Sequence, residues 1–122
     1  MQLEKLEGYN SIYAVDVVRK EYKKLFGKNS KEYADCLQKL RVNLKILDVN
    51  GIQKALQYQQ FEKLDNEELY SIRYVSKSNP RVLFAVFDGE SFILLSCCKE
   101  KNRGDYEIAK ETARARMKQL EE

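Results

Sequence analysis

Two apolar runs separated by a tight turn constrain this chain more than anything else in it: RVLFAVFD over 81–88 and SFILLSCCK over 91–99. Each is too short for a buried helix of several turns and is rich in Val, Phe, Ile and Leu, so both read as central strands. Asp88-Gly89 between them supplies residues that tolerate positive φ, the mark of a β-hairpin. Just upstream, LYSIRYVS over 69–76 alternates, with Tyr70, Ile72 and Tyr74 on one face and Ser71 and Arg73 on the other. Helices are expected to cover the tyrosine face. The stretch 76–80 reads as a turn, which suits Pro80 because proline cannot donate into a sheet ladder.

The rest of the chain supplies the layers. Residues 1–8 are polar and are expected to be frayed or weakly helical, and 9–15, with Ile12, Tyr13 and Val15, reads as a first strand. Asp16 is a plausible N-cap for a short helix whose stripe is Val18, Tyr22, Leu25 and Phe26 and which Gly27 would close. Asn29 and Glu32 have capping-box spacing, and behind them Tyr33, Leu37, Leu40, Leu44 and Leu47 repeat in steps of four and three. That seam is too short for a coiled coil, so it should pack on the first helix and one sheet face. The stretch 52–64 fits a further helical turn or an ordered crossover equally well. At the far end Ala109, Ala113, Met117 and Leu120 give a last helix a buried stripe, and Lys110, Arg114 and Lys118 give it a basic one. The expected order is β-α-α-β-β-β-α, an α+β fold. It has a small, antiparallel-dominated sheet, two N-terminal helices packed on one face and a C-terminal helix, in a single domain spanning 1–122.

Composition narrows the chemistry. A chain of 122 residues with 43% hydrophobic content buries one core. The net charge of +3 is small, but it is unevenly placed: 69–118 holds ten basic and six acidic residues, which leaves the remainder one charge negative. There is no His, so the commonest metal ligand and the usual neutral-pH proton shuttle are both missing. Cys36 stands alone and Cys97 and Cys98 are adjacent, which fits neither a zinc knuckle nor a disulfide framework; reduced, packed thiols are expected. No Gly-rich phosphate loop or G-x-S-x-G is present. No apolar run approaches a membrane span and the first residues are too charged for a signal peptide, so the expectation is a cytoplasmic protein with no metal and no cofactor.

Arg73, Arg81, Lys99, Lys101 and Arg103 fall at strand ends or just beyond them, where a sheet can gather distant residues at one edge. Such cations suit an RNA backbone, and Tyr106 nearby can stack on an unpaired base. Cutting RNA without metal requires the 2′-OH to attack the adjacent phosphate while the protein moves protons and stabilises the phosphorane. Without His, the stabilising role falls to Arg, here Arg81, and the proton work to Lys, Tyr or a carboxylate.

Taken with FEKLDNEELYSIRY, NPRVLFAVF and CKEKNRGDYEIA, the chain resembles the RelE/HigB superfamily of toxins, especially its HigB-like, phage-derived branch. The resemblance covers roughly 9–120 and is strongest from Lys63 onward. It rests on Lys63-Leu64 before Leu69-Tyr70-Ser71-Ile72-Arg73, a strand opened by Arg81, the Phe92-Ile93-Leu94-Leu95 strand, a Lys-rich loop, and Glu107-Ile108-Ala109. It implies a RelE-like microbial RNase fold and ribosome-dependent mRNA cleavage. It also implies a cognate antitoxin, expected to be a helix-turn-helix protein. Residue by residue, Arg81, Lys99, Lys101 and Tyr106 resemble the catalytic set, and Lys63, Arg73 and Arg103 resemble positions that grip RNA. Two positions depart from the pattern: Glu100 places an acid in the basic loop, and Ser71 stands where RelE has a second cation. The alternative is a non-enzymatic member of the same fold that binds a protein such as DNA gyrase, as ParE-like toxins do.

Overall fold

The computed structural model describes residues 1–74 and 78–121. Among these residues lie strands β1 (Leu3–Lys5), β2 (Ile12–Val15), β3 (Phe61–Lys63), β4 (Leu69–Arg73), β5 (Pro80–Phe87) and β6 (Ser91–Lys99). The helices are α1 (Val18–Lys24), α2 (Ser30–Asn50), α3 (Ile52–Ala55) and α4 (Arg103–Glu121). The strands form one sheet in the order β1-β2-β6-β5-β4-β3. Its pairs are antiparallel except β2 with β6, which run parallel, so the fold is α+β with a mixed, antiparallel-dominated sheet.

The hairpin expected at Asp88-Gly89 forms, with positive φ at both residues and Phe87 paired with Ser91. Between Leu83 and Phe84 the register slips, so that Ser96 faces Leu83 but Leu94 faces Phe84. Leu95 is the extra residue of this bulge, and its carbonyl is taken instead by Arg116 NH1 of α4 at 2.8 Å. The expected turn over 76–80 falls partly on 75–77, outside the described residues. Pro80 opens β5 opposite Lys99.

Both sheet faces are covered. Ile72, Val82 and Leu94 share the face under α1 and α2, whose Tyr22, Leu40, Leu44 and Leu47 join them in the core. As the alternation in β4 requires, Tyr74 turns to this side: its hydroxyl donates to the Cys36 carbonyl of α2 at 2.8 Å and meets the Tyr22 hydroxyl of α1. Burial pushes both phenols well above the ordinary tyrosine range. The opposite face carries Ser71, Arg81, Leu83, Ser96 and Cys98, and α4 lies on it. Ser96 Oγ donates to the Ala109 carbonyl at 2.7 Å, and Ala109 and Ala113 are small enough to let the helix sit close.

Four local expectations are corrected. Residues 3–5 are a strand and not a frayed or helical end: Leu3 pairs with Val15 across a turn in which Gly8 takes a φ of 91°. Asp16 is not the cap of α1, because its N–H is tied to the Gln2 carbonyl, and the helix starts from Val17 without a side-chain cap. Gly27 does not end α1, which stops at Lys24 and passes through turns. The stretch 52–64 resolves into both a helical turn, α3, and an edge strand, β3, which adds to the seven-element order. The capping box is as expected, since the Asn29 side chain accepts from the Glu32 N–H at 3.1 Å, and α2 runs 21 residues to Gly51.

Candidate functional site

Arg81 is the centre of the charged cluster on the α4 side of the sheet. It is the second residue of β5, paired in register with Arg73 of β4 and Cys98 of β6, so the sheet brings Arg73 and Arg81 side by side on one face. Arg73 is exposed, at the end of its strand, whereas Arg81 is only 4% exposed. A buried guanidinium must have its charge met and its donors satisfied. Nε and NH2 both reach Glu100 Oε1 at 2.5 Å, NH1 donates to Ser71 Oγ at 3.3 Å, and NH1 lies 4.0 Å from Glu62 Oε1 of β3.

Tyr106, in the first turns of α4, lies across the flat face of this guanidinium, its ring centre 4.0 Å from the Arg81 carbon. Lys110, one helical turn on, holds its ammonium 4.6 Å from the same ring and pairs with Glu107 at 2.6 Å. The ring is therefore bracketed by two cations, as the quadrupole of an aromatic face allows. The Tyr106 hydroxyl is buried and has no hydrogen-bond partner among the described residues. Beneath it, burial pushes the Cys98 thiol up to about 11, with Glu100 adding to the shift and Arg81 opposing it.

The other expected residues are placed differently. Lys99 does not join Arg81. It is the neighbour of Cys98, which faces the Arg81 side, so period two turns Lys99 to the opposite face, where its ammonium lies 3.8 Å from Glu32 and 5.0 Å from the Phe26 ring. Lys63 also alternates away, since Glu62 is its site-facing neighbour in β3; Lys63 is exposed and 3.8 Å from Glu68. Lys101 and Arg103 are exposed at the entry to α4, where Asp105 Oδ2 accepts from the Lys101 and Asn102 backbone N–H groups at 3.0 and 2.8 Å. The sheet sets Arg73 beside Arg81, and α4 packs Tyr106 on Arg81, while Lys101 and Arg103 are exposed in the link to α4 and at its first residue.

Glu62, Glu100 and Lys110 complete the cluster and were not expected there. Lys110 had a signal, since it falls four residues after Tyr106 and so shares its helical face. Glu100 was visible only as an acid in a basic loop. Among the described residues no group of three or more Cys, Asp and Glu side chains is arranged to hold a metal ion. No helix among them is long and apolar enough to cross a membrane.

A cleft of about 850 Å³ lies elsewhere, between the β1–β2 hairpin, α1 and α2. Its floor is core, including Ala14, Val82 and Leu94, and none of the Arg81 cluster lines it. The cluster holds the convergent charges, and on chemistry it is the better candidate site. The chain matches no family model, and no curated protein matches its sequence.

Proposed function

We propose that this chain is a toxin of the RelE/HigB type with a RelE-like fold, a metal-independent endoribonuclease that cleaves mRNA on the ribosome and is held inactive by a cognate antitoxin. The observation that carries the reading is the packing of Arg81 against Tyr106 on the sheet face it shares with Arg73. A guanidinium packed on a phenol ring, with an exposed cation in register on the neighbouring strand, supports that chemistry. In the reaction, the 2′-oxygen bonds to phosphorus as its proton leaves, the P–O5′ bond breaks, and the 5′-oxygen takes a proton. Arg81 neutralises the charge that builds on the phosphorane oxygens. Tyr106 and Lys110 are the nearest groups able to give a proton to the leaving oxygen. Arg73, Lys101 and Arg103 meet the flanking phosphates, and Lys99, turned toward Glu32, takes no part in the chemistry.

One observation favours the non-enzymatic alternative, a protein-binding member of the same fold: Arg81 is already saturated by Glu100 and Ser71. The two readings part in one experiment. Brief induction should arrest growth and produce new mRNA 5′ ends, and Arg81→Ala should lower cleavage on the order of 10²-fold or more. Arrest without new 5′ ends, accompanied by loss of supercoiling activity in extracts, would mean that the nuclease reading is wrong and the gyrase-type reading right.

A further inference from the structure

The Nε/NH2 edge of the Arg81 guanidinium is occupied. Its Nε and NH2 share one Glu100 oxygen at 2.5 Å, its NH1 donates to Ser71 and lies 4.0 Å from Glu62, and the Tyr106 ring centre is 4.0 Å from its central carbon. The side chain is 5% exposed. With Glu100 in place, that edge has no room for a phosphate. Yet the Nε/NH2 edge is the one with which a guanidinium grips carboxylate and phosphate oxygens alike. The anion seated on it belongs to the link between β6 and α4, and its side chain is 31% exposed, so it closes the cluster from the solvent side. On the residue packed against Arg81, the Tyr106 hydroxyl is buried without a partner among the described residues, a polar group that an oxyanion could satisfy.

We propose that the Glu100 carboxylate occupies an oxyanion subsite of this protein, with its Oε1 standing where a phosphate oxygen binds, and that RNA enters by displacing it. Glu100 is then a competitor built into the chain, and it sets how tightly the site takes a phosphodiester. The identity of the anion rests on the nuclease reading; the occupied edge of Arg81 does not. Displacement needs only a side-chain rotation. The Glu100 backbone stays tied to the Asn79 carbonyl at 3.3 Å, and the next two N–H groups stay capped by Asp105. Removing the carboxylate leaves a buried, uncompensated cation, which strongly favours an anion from solution.

The test uses the full chain with Glu100→Ala and Glu100→Gln, the second retaining size and an acceptor but no charge. Thermal unfolding is followed in chloride and in inorganic phosphate at equal ionic strength. Binding of a short 2′-O-methyl RNA, which cannot be cleaved, is measured beside it. Phosphate should raise the Tm of both variants by more than the general salt effect it has on the parent, because only an emptied subsite binds it. RNA affinity should rise on the order of tenfold in Glu100→Ala, and adding Arg81→Ala should abolish the gain. A variant that unfolds in chloride but refolds in phosphate supports the proposal. Variants that gain no more from phosphate than the parent, folded or not, or an RNA gain that survives Arg81→Ala, overturn it. The two ideas fail separately: if phosphate binds the variants but induction yields no mRNA cuts, the nuclease reading falls and the subsite stands. If Arg81→Ala abolishes cleavage while the Glu100 variants bind no better, only the subsite falls.

Discussion

Cys97 and Cys98 are adjacent in β6 yet face different layers, and both are held as thiols. Burial pushes Cys97 up to about 12, with Glu21 adding to the rise, and Cys98 up to about 11. The thiolate is the reactive form, so at pH 8 iodoacetamide should modify Cys98 about a hundredfold more slowly than an ordinary thiol, and Cys97 more slowly still. Mass spectrometry of native and urea-unfolded protein checks this, and fast native labelling would show that β6 is less covered than described. The Cys98 rate also reports on its neighbours. Glu100→Ala should speed it, because Arg81 then lowers the thiol's pKa with only the weaker influence of Asp105 opposing it. At this scale the sequence was informative about Arg81 and Tyr106, whose order along the chain carries the resemblance. Of Glu100 it showed only an acid in a basic loop and not its partner. A carboxylate 19 residues from its partner is legible only once the β5–β6 register places them together. The face that Lys99 takes, toward Glu32, was hidden for the same reason, since a count of cations near a strand end does not say which face each takes.

Among the elements, α4 is held in an unusual way. Its fully buried side chains are only Ala109 and Ala113, with Tyr106, Met117 and Leu120 partly buried against the core, and two arginines add to this hold. Arg114 binds Glu67 of the β3–β4 turn at 2.5 and 2.8 Å. Arg116 binds Glu21 of α1 at 2.6 and 2.7 Å and also caps the Leu95 carbonyl at the bulge. Arg114 is 41% exposed and Arg116 17%. An exposed pair such as Arg114–Glu67 is worth little, whereas Arg116→Ala also strands a carbonyl and should cost about 2 kcal/mol. Urea unfolding of the two variants should rank them in that order, with faster hydrogen exchange along α4 in Arg116→Ala. Equal losses would mean that the Leu95 contact contributes nothing. The periodicity of α2 and the alternation of β4 made those elements readable from the chain. The short edge strands β1 and β3 were not, because three residues carry no period and are fixed by the partner they pair with.

For the whole molecule, two carboxylates tie distant parts of the chain together and make stability depend on pH. Burial pushes Asp48 up, but hydrogen bonds from the Ser11 side chain and the Asn10 and Ser11 N–H groups, with Lys45 nearby, outweigh it and leave the carboxyl below its ordinary 3.8. The Arg114 hydrogen bonds hold Glu67 below its ordinary 4.5. A lowered folded pKa means stability that is present above the unfolded value and lost as pH falls through the folded one. Tm should therefore be flat down to about pH 5 and decline below it, and Asp48→Asn with Glu67→Gln should start lower and decline less steeply. An unchanged slope in the double variant would assign acid sensitivity elsewhere. The parallel pairing of β2 with β6 has a further consequence, in time rather than in space. Ile12 must find Phe92, and Arg81 must find Tyr106, so contacts distant in sequence close the sheet and complete the charged cluster. Such long-range closure is slow. During synthesis, nearly all of this chain must be made before the cluster can exist, because Tyr106 lies in the final helix.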